Sequence, residues 1–187
     1  RSLFVVYDPV AVGFAELAAL LLDKASPDLP PPGAGRVWRF PVCYGGAYGE
    51  DLPFIADRTG LSQAEVVRRH AAGVYRIYMM GFIPGFTYLG GLDPAIAAPR
   101  RDDPRLTSPP GTISIGGVQT GIQCLAAPTG WHLIGRTPAR TYDPGRAQVF
   151  FLEPGDTVRF ESIAPDAFSA LERRAAAGEL IAEQVAR

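Results

Sequence analysis

Gly81 to Pro138 reads GFIPGFTYLGGLDPAIAAPRRDDPRLTSPPGTISIGGVQTGIQCLAAPTGWHLIGRTP. Ten of these 58 residues are glycine and eight are proline, yet the stretch also carries Phe82, Phe86, Tyr88, Trp131 and a string of β-branched residues. Disordered linkers share the glycine and proline but lack large apolar side chains to bury. A segment with both is a tightly turned β structure whose backbone is fixed at many points. Within it, Thr112–Ile115, Val118–Leu125 and Trp131–Gly135 read as short strands separated by turn signals.

Working outward, Gln148–Leu152 and Thr157–Ile163 extend the run of strands on the C-terminal side, and Val74–Met80 opens it on the N-terminal side. Two helices precede Val74. The first covers roughly Asp51 to Thr59 and stops at Gly60, a C-terminal cap. The second opens on Ser62-x-x-Glu65, a capping box, with Leu61 and Val66 spaced for a hydrophobic staple. Arg36 to Val42 forms a strand ahead of them, turned out by Gly45-Gly46. Many short strands with two helices ahead of them predict a closed or nearly closed β-barrel with two capping helices. The fold class is therefore α+β and mostly β.

Leu3–Tyr7 reads as a strand already under way, and Phe14, Leu17, Ala18, Leu21 and Leu22 follow the spacing of an amphipathic helix. This piece is expected to be the end of a small α+β domain whose earlier elements precede Arg1. Pro27–Gly35 breaks the pattern. The expected organisation is thus residues 1–35 as that remnant, 36–164 as the barrel, and 165–187 as a helical tail rich in Ala, Glu and Arg.

The 187 residues can bury a real core. A net charge of −1, with the two signs mixed along the chain, argues against nucleic acid as a partner. A helix-turn-helix reading of Arg58–Arg69 fails for the same reason. No apolar run approaches the roughly 20 residues that span a bilayer. With only Cys43 and Cys124, both in expected strands, the chain reads as cytoplasmic, with plain core thiols. No Cys/His cluster has metal-ligand spacing, so no metal site is expected. The paired glycines lack phosphate-loop spacing, and the sole lysine is the remote Lys24.

The chemistry-bearing candidates are few. His132 stands on a strand between Trp131 and Leu133, and Arg136 shares its parity if that strand is regular. The guanidinium would suit a carboxylate or phosphate. Gln119 and Thr120 sit among Gly116, Gly117 and Gly121, where donors could converge on a ligand. The Pro99–Arg105 loop has three arginines against two aspartates and reads as a solvated, self-neutralising turn. No Ser-His-Asp set is present. Such a chain reads as one component of a larger assembly.

Pro41-Val-Cys-Tyr-Gly-Gly46, Gly81-Phe-Ile-Pro-Gly-Phe86, Gln119-Thr-Gly121 and Gly130-Trp-His-Leu-Ile-Gly-Arg-Thr-Pro138 resemble the KipI/PxpB family, also called allophanate hydrolase subunit 1 or the C–D part of a carboxyltransferase domain. The resemblance runs from about Arg1 to Ile163, with Thr87 where the family often has a second proline. It implies a cyclophilin-like β-barrel after the small domain. It also implies the B component of an ATP-dependent 5-oxoprolinase, a hetero-oligomer with an A component and a C-component homologue of the allophanate hydrolase subunit 2 type. ATP would be shared with or bound by a partner. Two alternatives go with the family: biotin-dependent carboxyl transfer, which alone would call for biotin, and inhibition of a histidine kinase. The residues expected to face substrate or partner are His132 and Arg136 as catalytic candidates, with Gln119, Thr120, Gly121 and Trp131 as binding ones.

Overall fold

The structure is a computed structural model that describes residues 4–25, 33 and 35–186. The chain divides into two compact units, residues 1–33 and 34–187. In the first, the expected helix is present as Phe14–Lys24 (α1). The expected strand is not: Phe4–Tyr7 form no ladder, and Leu3 lies outside the described residues. A strand exists only where a neighbour completes its hydrogen bonds, and α1 is the sole regular element among the described residues of this unit. Most of the expected breaker, residues 27–32 and 34, also lies outside them.

The second unit begins with Val37–Tyr44 (β1), then Leu52–Thr59 (α2), Gln63–Ala72 (α3), Tyr75–Met80 (β2) and Thr87–Gly90 (β3). Arg105–Ser108 (β4), Thr112–Gly116 (β5), Gln119–Gln123 (β6), Ala127–Thr129 (β7), His132–Arg136 (β8) and Thr157–Ser162 (β9) follow. Last come Pro165–Ala176 (α4) and Glu183–Val185 (β10). Pairing runs β1-β8-β5-β6-β3-β2-β9 and returns from β9 to β1, so seven strands close a barrel. Only the β1–β9 contact is parallel within that ring. Closure leaves the seven-strand ring itself without an open edge, while β10 lies outside the ring and pairs with β1 alone. β4 and β7 form a separate two-stranded ribbon.

Local signals explain the two helices. Gly60 takes the left-handed conformation at φ 69° that ends α2. The Ser62 hydroxyl accepts from the Glu65 N–H at 3.1 Å, starting α3. The reciprocal half of the box is not made, because the Glu65 carboxylate turns to Arg68 and Arg69 instead. Inside the barrel, Phe40, Val42, Ile77, Leu89, Ile113, Ile115, Ile122, Ile134 and Val158 are buried. Ile55 and Val66, from α2 and α3, join the same core. Each such side chain is worth about 1.5–3 kcal/mol over an exposed one.

Three expectations change here. Gln148–Leu152 is not a strand: its backbone makes one isolated bridge, Tyr142 to Phe150. Phe151 and Leu152 are both buried, and Phe151 packs edge-on to Trp38 at 4.8 Å. Consecutive buried side chains do not alternate, so they fill the core without a ladder. Next, the tail is helical only to Ala176; Glu183–Val185 then pair with Val37–Arg39, beside the stretch of β1 that meets β8. Finally, the β3, β4 and β7 strands are additions to the sequence reading. Among the described residues no helix is long and apolar enough to cross a membrane.

Candidate functional site

The connection from the short helical turn Pro94–Ile96 to β4 is latched onto the end of the barrel. Gly117 N–H donates to Ala98 C=O at 2.6 Å, and Arg101 N–H to Gly130 C=O at 2.7 Å. His132 Nε2 lies 2.9 Å from Pro99 C=O. That oxygen can only accept, so Nε2 carries the proton and Nδ1 a lone pair.

Asp51, immediately before α2, anchors this loop from below. Its carboxylate is buried and accepts two bonds from Arg105, both at 2.7 Å, and one from Arg101 at 3.2 Å. It also accepts from Leu133 N–H at 2.7 Å, while Asp51 N–H donates to Leu133 C=O at 2.9 Å. One side chain therefore joins the start of α2, strand β8 and the arginine loop. The bonds that Arg105 donates to Asp51, with burial opposing them, raise the pKa of its guanidinium above the ordinary value.

The latched loop presents Arg100 and Arg101 to a cleft of about 260 Å³ whose other walls include Phe82, Phe86, Tyr88 and Trp131. Phe86 and Tyr88 meet edge-on at 4.7 Å, and each meets Trp131 edge-on at 5.9 and 6.0 Å. Burial raises the Tyr88 phenol above its usual range. A second cleft, of about 280 Å³, shares Arg100 and Arg101 and adds Arg58, Asp102, Asp103, Phe54 and His132. His132 is buried and stacks on Phe54, with ring centroids 4.5 Å apart. Burial lowers its pKa, which keeps the imidazole neutral, and its Nδ1 has no hydrogen-bond partner. Aromatic faces beside two guanidinium groups suit a small cyclic or planar anion. No group of three or more His, Cys, Asp or Glu among the described residues is placed to hold a metal.

The six residues expected from the sequence fall into different places. Trp131 walls the first cleft, and His132 the second. Gly121 pairs with Tyr88 on one side and Ser114 on the other. Gln119 is half-buried at the β5–β6 turn, opposite Gly116. Thr120 points into the barrel, where it is fully buried. Its hydroxyl donates to Ser114 C=O at 2.9 Å and lies 2.9 Å from His70 Nε2, whose Nδ1 is 2.8 Å from the Tyr44 hydroxyl. His70 is itself fully buried, and burial pushes it down to about 3. This is a neutral chain that closes one end of the barrel.

Arg136 is not brought near His132. Four residues of strand separate them by about 13 Å. The register also slips, with Leu133 opposite Ser114 but Gly135 opposite Ile113, so the parity that put the two on one face is broken. Arg136 instead lies over the Phe168 ring at 5.4 Å and 3.6 Å from Glu172. Both cysteines are buried, and burial raises both thiols. Asp51, Arg100, Arg101, Arg105, Phe82, Phe86 and Tyr88 are not among the site residues expected from the sequence. The surplus arginine in Pro99–Arg105 was the available signal, since its counter-charge had to lie elsewhere.

Residues 1–152 match the family model described as the carboxyltransferase domain, subdomain C and D. The chain is 48% identical over 125 residues to the 5-oxoprolinase B subunit of Escherichia coli O157:H7, covering 67% of this chain and 57% of that protein. It is 44% identical over 129 residues to the Bacillus subtilis (strain 168) protein of the same name, covering 69% and 54%. For the Haemophilus influenzae protein of that name the identity is 43% over 126 residues, covering 67% and 59%. The matched part thus spans a little over half of these relatives. Among solved structures, PH0987 from Pyrococcus horikoshii superposes with a TM-score of 0.69 at 38% identity, covering 87% of this chain and 75% of that one. TTHA0988 gives 0.67 at 41% identity, covering 84% and 30%. The Kluyveromyces lactis urea carboxylase gives 0.76 at 16% identity, covering 95% and 18%, a likeness of fold alone.

Proposed function

We infer that this chain, which belongs to the family of the carboxyltransferase domain, subdomain C and D, serves as the B component of an ATP-dependent 5-oxoprolinase. It would act with an A component and a C-component homologue to open 5-oxoproline to glutamate. The observation that carries this is the 43–48% identity to three curated proteins, each named as the B subunit of 5-oxoprolinase. Such a name implies a complex of several different chains, and the partners named here are part of the proposal.

The cleft geometry supports the substrate. 5-Oxoproline is a small lactam ring bearing one carboxylate. The ring suits the faces of Phe86, Tyr88 and Trp131, and the carboxylate suits Arg100, beside Arg101 whose guanidinium already donates to Asp51 and to Asp103 C=O. The lactam carbonyl is unreactive, so its oxygen would take the γ-phosphoryl of ATP with release of ADP; one water adds at that carbon and the C–N bond breaks to leave an acyl phosphate, which a second water hydrolyses to glutamate and phosphate. ATP is assigned to a site shared with or held by the partner proteins, since this sequence has no phosphate loop. The carboxyl-transfer reading with biotin has behind it the description of the family and a likeness of fold.

The test is to co-purify the protein carrying this chain with its A and C partners and to follow 5-oxoproline-dependent ATP hydrolysis. Turnover should require all three. Full activity from the two partners alone would sink the assignment.

A further inference from the structure

The connection between β2 and β3 is GFIPGF, Gly81–Phe86, and its two halves differ. The second half is pinned. Gly85 sits at φ 75°, its carbonyl accepts from the Thr141 hydroxyl at 2.8 Å, and a Cβ added to it would stand 2.6 Å from the Cβ of Tyr142. The Pro84 carbonyl accepts from the Cys124 thiol. The loop also closes on itself, with Gly81 N–H donating to Phe86 C=O at 3.1 Å and Phe86 N–H to Ile83 C=O at 3.2 Å.

The first half carries Phe82 at φ 74°, the single non-glycine residue with positive φ among the described residues. For a bulky L-residue this conformation is strained, and it persists only where something offsets the strain. Burial does not offset it, because Phe82 is 66% exposed. Its ring meets Phe86 edge-on at a centroid distance of 5.9 Å, and the residue lines both the aromatic–arginine cleft and another with Met80, Ile83, Phe150 and Leu152. The conformation achieves placement: it sets a free aromatic face beside Phe86, Tyr88 and Trp131, in the cleft that also holds Arg100 and Arg101.

We propose that Phe82 is a specificity-determining residue, held in a strained backbone so that its ring contacts the apolar face of a small cyclic carboxylate in that cleft. This rests on the reading of the cleft as the substrate site. The carboxylate is taken by the arginines, and the ring of the ligand lies against Phe82 and the aromatic wall. An exposed side chain thereby supplies contact area whose value is realised only with ligand present.

The experiment compares Phe82→Gly, Phe82→Ala and Phe82→Tyr in the enzyme assembled with its A and C partners, alongside urea unfolding of each variant chain. The Gly and Ala variants should raise the KM for 5-oxoproline about fivefold while kcat changes less than about twofold, and the Tyr variant should stay near wild type. Glycine accepts the conformation freely, so Phe82→Gly should unfold at a urea midpoint equal to or above that of Phe82→Ala. Unchanged KM in both truncations would overturn the proposal. So would a Gly variant clearly less stable than the Ala variant, since no strain would then reside at this position. Failure of the Gly and Ala variants to co-purify with the partners, where the wild-type chain does so, would assign the ring to the partner proteins instead, and the proposal would fall. Absence of 5-oxoproline turnover by the wild-type assembly would refute the substrate reading of the cleft, and the role of Phe82 with it. Normal wild-type turnover with unaltered variants refutes Phe82 alone.

Discussion

Asp51→Ala is the substitution that most directly probes how the cleft is built. The buried carboxylate accepts four bonds: two from Arg105, one from Arg101 and one from Leu133 N–H. Removing one partner of a fully buried ion pair costs about 3–5 kcal/mol. Here the carboxylate side chain is 7% exposed but the arginines are 28% and 20% exposed, so both guanidinium groups regain some water when the carboxylate goes. That places the expected loss at the lower end, about 3 kcal/mol. Arg105→Ala leaves Asp51 with Arg101 and Leu133 and should cost about 2 kcal/mol. Because the two residues share bonds, the double variant should cost less than the sum by about 1.5 kcal/mol. Urea unfolding followed by tryptophan fluorescence reads this cleanly, since Trp38 and Trp131 both lie in the unit spanning residues 34–187. A loss below about 1 kcal/mol for Asp51→Ala, or strict additivity, would refute the view that this carboxylate holds the loop.

Two further predictions concern stability. His70 is held at about 3 by burial, against its ordinary 6.5, so the unfolded chain binds the extra proton between those values. Stability therefore rises with pH across that window, is complete above about 6.5 and falls as the solution is acidified; His132, also lowered by burial, acts in the same sense. His70→Gln should shrink the difference in unfolding free energy between pH 7 and pH 4.5 by about 2 kcal/mol, and an identical pH slope in the variant would contradict the neutral chain through Thr120. Arg136→Ala removes the contacts to Phe168 and Glu172 and should cost about 1 kcal/mol, with faster amide exchange in α4 than in the barrel strands. Unchanged exchange in α4 would show that Arg136 does not tie the helix down.

What was legible in the sequence was what adjacent residues decide. Gly60 and Ser62 mark helix ends through their own φ and hydroxyl, and both signals act within four residues. The alternation around Thr112–Gly116 and Gln119–Gln123 likewise needs only a hairpin to become a sheet. The site depends on relations of another kind. Asp51 meets arginines 50 and 54 positions away, and nothing local in Asp51-Leu52-Pro53 announces them. Thr120 looks like a turn donor in sequence, yet its partner is His70, delivered by a helix 50 residues earlier. The slip between Ile113 and Ser114 separates the faces of His132 and Arg136, and a pattern of period two cannot carry an extra residue.

The charged loop shows why composition misled. Arg100, Arg101 and Arg105 against Asp102 and Asp103 look balanced to within one charge. In the structure Arg105 and Arg101 bond a buried carboxylate from another element, while Asp102 and Asp103 share the second cleft with Arg58, His132 and the loop's own Arg100 and Arg101. Arg100 and Arg101 thereby reach the aromatic wall. The loop's attachment to Asp51 is what turns a glycine-rich, aromatic surface into a cleft with a positive end.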